Sequence, residues 1–385
     1  MNPVVQKRRI CYLSGTRADF GLMASTLKAV QDDPRLSLEL IVTGMHLSER
    51  YGMTVREIEQ QGFPIAARVP VDTGLSSAGA MARNVGTMLI GFVDALERLR
   101  PDALLLLGDR GEMLAGALAA IHLGIPVVHL HGGERSGTVD EPVRHAISKL
   151  SHLHLVATQD ARDRLIRMGE HGRCIHVTGA PGLDGLTELA AIPRAALCEG
   201  IGFSDPARPV ALFVFHPVLH ELDTGGRDTR TAAQAALDAG CQVVALMPNS
   251  DAGNADVRDA LLQLQQEHPG AFVVKTHLPR AEFVCWMAAA DVMVGNSSSG
   301  IIEAASFGTP VVNIGTRQNM RERNANVIDV PADPSALQAA FLQALQGGRR
   351  PKANVYGEGR SAPLIVEQLA TADLSTALLA KCNAY

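Results

Sequence analysis

The sequence predicts an α/β protein with two doubly wound parallel sheets. Short runs rich in Val, Ile and Leu alternate with longer segments of helical periodicity, and this alternation starts again near the middle of the chain. The runs are continuously apolar rather than alternately apolar and polar, which is typical of parallel strands buried on both faces. Strands that alternate with helices form doubly wound sheets. A chain of 385 residues also exceeds what one hydrophobic core commonly supports.

Apolar runs predict the individual strands. Six of them lie at residues 8–14, 38–44, 102–108, 126–132, 153–158 and 174–179. A polar, turn-rich segment at residues 193–209 is expected to be a linker or hinge. Five further strands are expected at residues 210–216, 241–248, 271–277, 291–296 and 310–315. Two domains of similar size make the cleft between them the natural ligand site.

Composition excludes several classes of function. The net charge is −5 and no block of like charges occurs, so we expect no nucleic-acid binding by a broad basic face. No apolar run reaches the length of a membrane span, and the first residues lack the apolar stretch of a signal peptide, so we expect a soluble, cytoplasmic protein. The six cysteines form no CxxC pair, and we expect reduced thiols rather than disulfides or a structural zinc site.

Polar loops follow seven of the predicted strands at their carboxyl ends, where open α/β sheets bind ligands. In the first half these loops are SGTRADFG, GDR and HGGERSG. In the second half they are FHP, PNSDAG, THLP and GNSSSG. So many polar strand ends indicate a ligand site at this edge of each sheet.

Two of these loops have the chemistry of an anion site. The segment GNSSSGIIEAASFG predicts a strand, a tight loop and a helix start, where backbone N–H groups and the hydroxyls of Ser297 and Ser298 could bind phosphate. Ordinary N-capping by serine is the alternative. Arg17 and Arg317 could each clamp a diphosphate, although either could be a surface arginine. No Walker loop occurs and no GxGxxG follows the first strand, so ATP hydrolysis and hydride transfer are not favoured.

Carboxylates and histidines follow the third and fourth strands. Asp109 could act as a general base, orient a sugar hydroxyl or cap a helix. In the stretch HLHGGERSGTVDEPVRHAISKLSHLH, Asp140 could N-cap the helix that follows, and Thr138 with Glu141 fits a capping box. His129 and His131 alternate along a strand, so we expect one to face the core and the other the cleft. Neither HExxH nor paired Cys/His spacing occurs, and we expect no metal.

In this order, the loops resemble the hydrolysing UDP-N-acetylglucosamine 2-epimerases of sialic acid and legionaminic acid biosynthesis. The matching motifs span residues 15 to about 330 and are GTRADFG, GDR, HGGERSGTVDEPVRHAISKLSHLH, FHP, PNSDAG, GNSSSGIIEAASFGTPVVNIGTRQ and NANVIDV. The resemblance implies two Rossmann-like domains of the GT-B type, with residues 1–190 on the sugar side and 205–360 on the UDP side. The C-terminal helix, at about 362–385, would return to the first domain. The resemblance also implies a nucleotide-sugar substrate, no cofactor and a homodimer or tetramer.

The implied reaction removes UDP from C1 with loss of the C2 proton. Water then adds to the resulting glycal and releases a free sugar inverted at C2. The C2 hydrogen is not acidic, so C1–O cleavage must run ahead, and the site must stabilise a departing diphosphate and hold a carboxylate near C2. The substrate is expected to be UDP-N-acetylglucosamine or UDP-2,4-diacetamido-2,4,6-trideoxyglucose. A GT-B glycosyltransferase, a non-hydrolysing 2-epimerase and a nucleotide-sugar sensor without turnover are the alternatives.

The resemblance also implies roles for individual residues. Asp109 would lie near C2, Asp140 would be a second catalytic carboxylate, and His216 would lie near the diphosphate. His131 stands where the non-hydrolysing and the animal bifunctional enzymes carry a catalytic glutamate, although a histidine there is similar to bacterial sialic and legionaminic acid members. Either His131, which can titrate near neutrality, or Glu134 would be the acid/base group. The implied nucleotide contacts, among which Glu303 would bind the ribose, are Arg17, Arg110, Asn249, His277, Ser297, Ser298, Glu303 and Arg317.

Overall fold

Two parallel sheets organise the computed structural model, which describes residues 7–74, 77–203, 205, 207–219, 221–249 and 251–384. Within these residues the strands of the first sheet are β1 (Arg8–Ser14), β2 (Leu36–Thr43), β3 (Ile65–Val69), β4 (Ala103–Leu107), β5 (Val127–Leu130), β6 (Leu153–Val156) and β7 (Ile175–Val177). Those of the second sheet are β8 (Val210–Val214), β9 (Gln242–Leu246), β10 (Phe272–Lys275), β11 (Val292–Gly295), β12 (Val311–Ile314) and β13 (Val327–Val330).

Helices cover both faces of each sheet. Along the described chain they are α1 (Arg17–Asp32), α2 (Val55–Gln60), α3 (Ala78–Leu99), α4 (Gly111–His122), α5 (Asp140–Leu150), α6 (Gln159–Arg167), α7 (Leu186–Leu189), α8 (Arg194–Gly200), α9 (Gly225–Asp238), α10 (Asn254–Glu267), α11 (Arg280–Ala289), α12 (Ser298–Ile302), α13 (Pro334–Gly347), α14 (Ser361–Thr371) and α15 (Thr376–Leu379). Separate apolar clusters fill the two sides of each sheet. All five residues of β4 and of β8 are buried, which explains their unbroken apolar sequence.

The strand order reverses next to the first strand of each sheet. The first sheet has the order β3-β2-β1-β4-β5-β6-β7, and the second has the order β10-β9-β8-β11-β12-β13. The loops after β1 and β4 therefore diverge at the carboxyl edge of the first sheet, as do the loops after β8 and β11 in the second. Such a reversal opens the crevice in which doubly wound sheets bind ligands.

The prediction of two doubly wound parallel sheets is confirmed, and each strand predicted from an apolar run is present. The sequence missed the two edge strands β3 and β13, because Arg68 and Asp329 interrupt their apolar patterns. The segment 193–209, expected to be a linker or hinge, contains helix α8, and its role as a linker stays a prediction. The alanine-rich stretch after Pro193 favours a helix, and proline is well suited to the start of one.

Helix α14 packs on the first sheet rather than on the second, which precedes it in the chain. Ile365 and Leu369 of α14 share an apolar cluster with Phe20 and Leu27 of α1. The Asp184 carboxylate accepts a hydrogen bond from the backbone N–H at the start of α14, at 2.8 Å. The domain limits at residues 190 and 205 stay a prediction.

In the described part of the chain, no helix has both the length and the apolar character needed to cross a membrane.

Candidate active site between the two sheets

A cavity of about 500 Å³ lies between the carboxyl edges of the two sheets. Twelve of the thirteen site residues predicted from the sequence line this cavity: Arg17, Asp109, Arg110, His131, Glu134, Asp140, His216, Asn249, Ser297, Ser298, Glu303 and Arg317. The remaining one, His277, lies behind Arg17, where its ring nitrogens contact the Arg17 guanidinium and the Glu57 carboxylate. The structure thus brings together loops that are up to three hundred residues apart in the chain.

The loop after β1 presents Arg17 to the cavity. Thr16 caps helix α1, and the side chain of Asp19 accepts from the backbone N–H groups of Gly15 and Thr16 at 3.0 and 2.8 Å, which closes a capping box. Burial raises the pKa of Asp19 to about 6, against the hydrogen bonds that favour its charged form. This turn fixes the backbone from which Arg17 reaches the cavity.

Asp109 follows β4 and is held by an arginine from another element. Arg110, not Asp109, occupies the N-cap position of α4, so the helix-cap alternative for Asp109 is wrong. The Asp109 carboxylate pairs with the guanidinium of Arg144 on helix α5. The Arg144 side chain is only 1% exposed. Arg144 also donates to the backbone oxygen of Glu134 at 3.0 Å. A single buried cation therefore joins two of the predicted catalytic positions.

His131 and Glu134 form a pair at the end of β5. The His131 Nδ1 atom lies 2.5 Å from Glu134 Oε1, and the guanidinium of Arg321 contacts the other oxygen, Oε2. Burial raises the pKa of Glu134, but His131 and Arg321 outweigh burial and lower it to about 2. His131 has a φ of +60°, a backbone conformation that residues with a side chain rarely adopt. His129 is buried in the core, where its Nε2 atom lies 2.7 Å from the backbone oxygen of Gly108.

Asp140 is the first residue of helix α5, and Val139 is its N-cap. The expected Asp140 cap and the Thr138 capping box are therefore wrong, because the Glu141 carboxylate accepts from the Ser136 N–H at 2.6 Å instead of from the cap. The Asp140 carboxylate lies 4.0 Å from the Arg317 guanidinium of the second sheet. A carboxylate on the first helical turn is stabilised by the helix dipole without being a cap.

His216 follows β8 and is half-buried among polar and charged groups of the cavity. Asn296 accepts from its backbone N–H at 2.7 Å, and its Nδ1 atom accepts from the Asn249 N–H at 3.3 Å. Burial lowers the pKa of His216 to about 3, and the nearby Arg317 acts in the same direction. Asn249 in turn donates to Asp251, at 2.6 Å. A neutral imidazole can donate a hydrogen bond from Nε2 to a phosphate oxygen.

In the loop after β11 the capping alternative is confirmed, while phosphate binding stays a prediction. Ser297 caps the short helix α12 by accepting from the Ser299 N–H at 3.4 Å, and Ser297 and Ser298 both line the cavity. Glu303, which follows α12, is only 2% exposed and pairs with Arg280. This side of the cavity thus offers hydroxyls, arginines and one buried carboxylate.

Several charged residues of the site were not predicted from the sequence. Those that line the cavity are Asp19, Arg50, Arg144, Arg258, Arg280 and Arg321. Glu112 and Asp251 pair with Arg110, at 3.1 and 3.3 Å. Arg144 and Asp251 lie inside motifs that the sequence did single out, RHAI and PNSDAG, but a motif carries no information on partners. In the described residues, no group of three or more His, Cys, Asp or Glu side chains is arranged to hold a metal ion.

Comparison with known proteins identifies the family. The UDP-N,N'-diacetylbacillosamine 2-epimerase (hydrolyzing) of Legionella pneumophila is 48% identical to this chain. The match covers 98% of this chain and all of the relative. The GDP/UDP-N,N'-diacetylbacillosamine 2-epimerase (hydrolyzing) of Campylobacter jejuni is 32% identical over 88% of this chain and 87% of its own.

Solved structures agree with the fold. The UDP-GlcNAc 2-epimerase from Neisseria meningitidis bound to UDP-GlcNAc superimposes with a TM-score of 0.80 at 20% identity, over 94% of this chain and 99% of its own. The Staphylococcus aureus MnaA–UDP structure superimposes with a TM-score of 0.78 at 17% identity, over 94% and 96%. These likenesses confirm the predicted GT-B arrangement of two Rossmann-like sheets. The UDP-N-acetylglucosamine 2-epimerase family profile matches residues 28–370, and this chain belongs to that family.

Proposed function

We propose that this protein is a hydrolysing nucleotide-sugar 2-epimerase whose substrate is UDP-2,4-diacetamido-2,4,6-trideoxyglucose. The observation that carries the proposal is one cavity that combines two kinds of groups. The acid/base candidates, three carboxylates and His131, come from the first sheet, and the groups suited to a diphosphate come from both sheets. An elimination that expels a diphosphate needs both kinds of groups at once.

The first step separates UDP from the sugar. As the C1–O bond breaks, its electron pair leaves with the diphosphate, whose charge Arg17, Arg110 and Arg317 would stabilise. Asp109 would then take the C2 proton from the oxocarbenium-like sugar and leave a glycal. The ion pair with Arg144 orients the Asp109 carboxylate for this step.

The second step adds water to the glycal. A proton is delivered to C2 from the face opposite Asp109, and a water adds to C1 as hydroxide while its other proton leaves to solvent. The product is the free sugar with inverted C2. We assign proton delivery to His131, whose Nδ1 is held by Glu134, so that Nε2 is the ring nitrogen that exchanges a proton with the substrate. Asp140, at the start of α5, is the second carboxylate of the cavity in this scheme. The net reaction consumes one water and releases UDP.

Support for the substrate comes from the relatives. The sugar named in the 48% identical Legionella relative, N,N'-diacetylbacillosamine, is 2,4-diacetamido-2,4,6-trideoxyglucose, and the Campylobacter relative carries the same sugar in its name. A Neisseria meningitidis relative named UDP-N-acetylglucosamine 2-epimerase is 34% identical over 89% of this chain. The higher identity therefore favours the 4-acetamido, 6-deoxy sugar over UDP-N-acetylglucosamine.

Proton NMR of the reaction in D₂O tests this function. The protein is incubated with each of the two UDP-sugars, and the expected products are UDP and a free 2-epimerised sugar with deuterium at C2, formed faster from the diacetamido sugar. A UDP-sugar epimer without UDP release would instead indicate a non-hydrolysing epimerase, and dependence on an acceptor would indicate a glycosyltransferase. Retention of the original C2 proton would refute the elimination mechanism.

We further propose, from the resemblance of the motifs to the sialic and legionaminic acid branch of the family, that the product feeds legionaminic acid synthesis in the cytoplasm and that the protein is a homodimer. Light scattering on the purified protein measures the mass and tests the dimer.

A further inference from the structure

A segment of the second sheet's half reaches across the cavity to the first sheet. This crossing segment, residues 316–323 (TRQNMRER), follows β12. Gly137, on the loop of the first sheet that carries Glu134, donates its N–H to the Arg317 oxygen at 3.5 Å. A Cβ atom at Gly137 would lie 2.0 Å from the Thr316 oxygen, so only glycine permits this contact. The crossing segment and the His131–Asp140 loop are therefore in direct backbone contact.

Arg321 lies at the end of this crossing and contacts carboxylates of the other sheet. Its Nη1 atom contacts Glu134 Oε2, and its Nη2 atom lies 3.8 Å from Asp109 Oδ2. The side chains of Arg321 and Glu134 are 9% and 4% exposed, so water cannot replace either partner easily. The preceding residue, Met320, has a φ of +67°, a strained turn that precedes Arg321.

Arg321 and Arg317, which both belong to the crossing segment, contact different groups. Arg317 Nη1 donates to the Asn296 oxygen at 3.1 Å, beside the serine loop, whereas Arg321 points its charge at Glu134. Glu134 is then held on both oxygens, by His131 on one and by Arg321 on the other. Without Arg321, the carboxylate could turn and leave His131 Nδ1.

We propose that Arg321 is a positioning residue: supplied from the UDP-binding half, it fixes Glu134 against His131 and completes the acid/base pair across the cleft. This inference rests on the proposed function. It makes the acid/base chemistry depend on the half of the protein that holds the nucleotide. Arg321 itself would contribute little to the affinity for UDP.

Removal of Arg321 should also change the pH dependence of turnover. Arg321 is one of the groups that lower the pKa of Glu134, so its loss raises that pKa, and the acid limb of the kcat profile should move to higher pH. The other charged or titratable groups that face Glu134 are His129, His131, Arg144, Glu322 and Tyr356. These groups are unchanged in an Arg321 variant.

The experiment compares Arg321→Gln and Arg321→Lys with the control Arg227→Gln. Arg227 lies on helix α9 of the same half, outside the cavity, and its side chain is 73% exposed and pairs with Asp228 at 3.4 Å. We expect Arg321→Gln to lower kcat by about 10²-fold with the Kd of UDP nearly unchanged, Arg321→Lys to restore part of kcat, and Arg227→Gln to behave as wild type. If the glutamine variant fails to fold, the lysine variant must still show reduced kcat with unchanged Kd.

A double-mutant cycle with Glu134→Gln gives the decisive result. If Arg321 acts through Glu134, Arg321→Gln should have almost no further effect on kcat in the Glu134→Gln background. Additive losses, or a raised Kd of UDP with unchanged kcat, would overturn the proposal and make Arg321 a structural or nucleotide-contacting residue. A wild-type protein that releases no UDP and no 2-epimerised sugar would refute the proposed function instead, so the two failures can be distinguished.

Discussion

The guanidinium of Arg144 pairs with the carboxylate of Asp109, and the two residues come from different elements of the first sheet's half. Arg144 is one of the largest fully buried side chains among the described residues, and its other Nη atom is bound to the backbone oxygen of Glu134 at 3.0 Å. A buried cation must be paired, and Arg144 is bound to both loops, through the Asp109 carboxylate after β4 and the Glu134 backbone oxygen after β5. The orientation of Asp109 towards the cavity is therefore fixed before any substrate binds.

Replacement of Asp109 by Asn should abolish most turnover but leave UDP binding intact. The amide has the same shape but cannot accept the C2 proton, and loss of one positioned acid/base group commonly costs about 10²–10⁴-fold in rate. Steady-state release of UDP and calorimetric binding of UDP measure the two effects. Asp94→Asn, on an exposed face of α3, is the matched control. Equal loss of turnover and of UDP binding would mean that Asp109 only supports the structure.

Replacement of His131 by Asn should remove the imidazole without changing the backbone conformation of its loop. His131 has a φ of +60°, and Asn tolerates the left-handed region better than most residues, so the loop should keep its conformation. We expect kcat to fall by about 10²–10⁴-fold with little change in thermal stability. Turnover and the melting temperature are measured on the same preparation. Wild-type turnover in His131→Asn would assign the acid/base role to Glu134 or Asp140.

The sequence predicts the sheets and the loops of the site because these depend on local patterns. Apolar runs indicate buried strands whatever packs on them, and the polar loops lie at strand ends, where a doubly wound fold must collect them. The contact between His131 and Glu134 is also local, since the residues are three positions apart. The loops predicted from local patterns, together with the family resemblance, supply twelve of the residues that line the cavity.

The partners of these residues depend on tertiary contacts that a single sequence does not contain. Arg144 is 35 residues from Asp109, and Arg321 is 187 residues from Glu134. Each is an ordinary arginine in a polar segment until the sheets are assembled. His277 shows a second limit: the resemblance implied a nucleotide contact, whereas in the structure His277 lies behind Arg17 and does not line the cavity. The strand end fixes where a side chain starts but not which neighbour it contacts.

Replacement of Glu303 by Gln should weaken nucleotide binding through the ribose. Glu303 lines the cavity and pairs with Arg280, and a carboxylate can accept strong hydrogen bonds from two adjacent hydroxyls. Loss of a charged hydrogen bond costs about 1.5–3 kcal/mol, so the Kd of UDP should rise at least roughly tenfold. Calorimetry with UDP and with 2′,3′-dideoxy-UDP tests the assignment. If Gln weakens binding of the dideoxy nucleotide as strongly, Glu303 does not bind the ribose.

Stability in acid should depend on Glu170, outside the cavity. Glu170 is 3% exposed and its carboxylate contacts Lys149 Nζ at 2.6 Å, Lys381 Nζ at 2.7 Å and His154 Nε2 at 3.0 Å. Burial raises its pKa, but these donors outweigh burial and lower it from 4.5 to about 2. A carboxylate with a lowered pKa stabilises the folded state above its unfolded pKa, and this contribution is lost as the pH falls from about 4.5 to about 2.

Glu170→Gln should therefore be less stable than the wild type at neutral pH, and the difference should shrink as the pH falls through that window. The free energy of unfolding in urea, measured from pH 7 to the lowest pH at which the wild type is folded, gives this difference directly. Glu97→Gln, at an exposed position of α3, should follow the wild type throughout. Because Lys381 also donates to the backbone oxygens of Lys149 and Ser151, at 2.8 and 2.6 Å, Lys381→Met should be destabilised at every pH. If the difference in unfolding free energy between wild type and Glu170→Gln did not change with pH, the lysines would not be stabilising the ionised form of the Glu170 carboxylate.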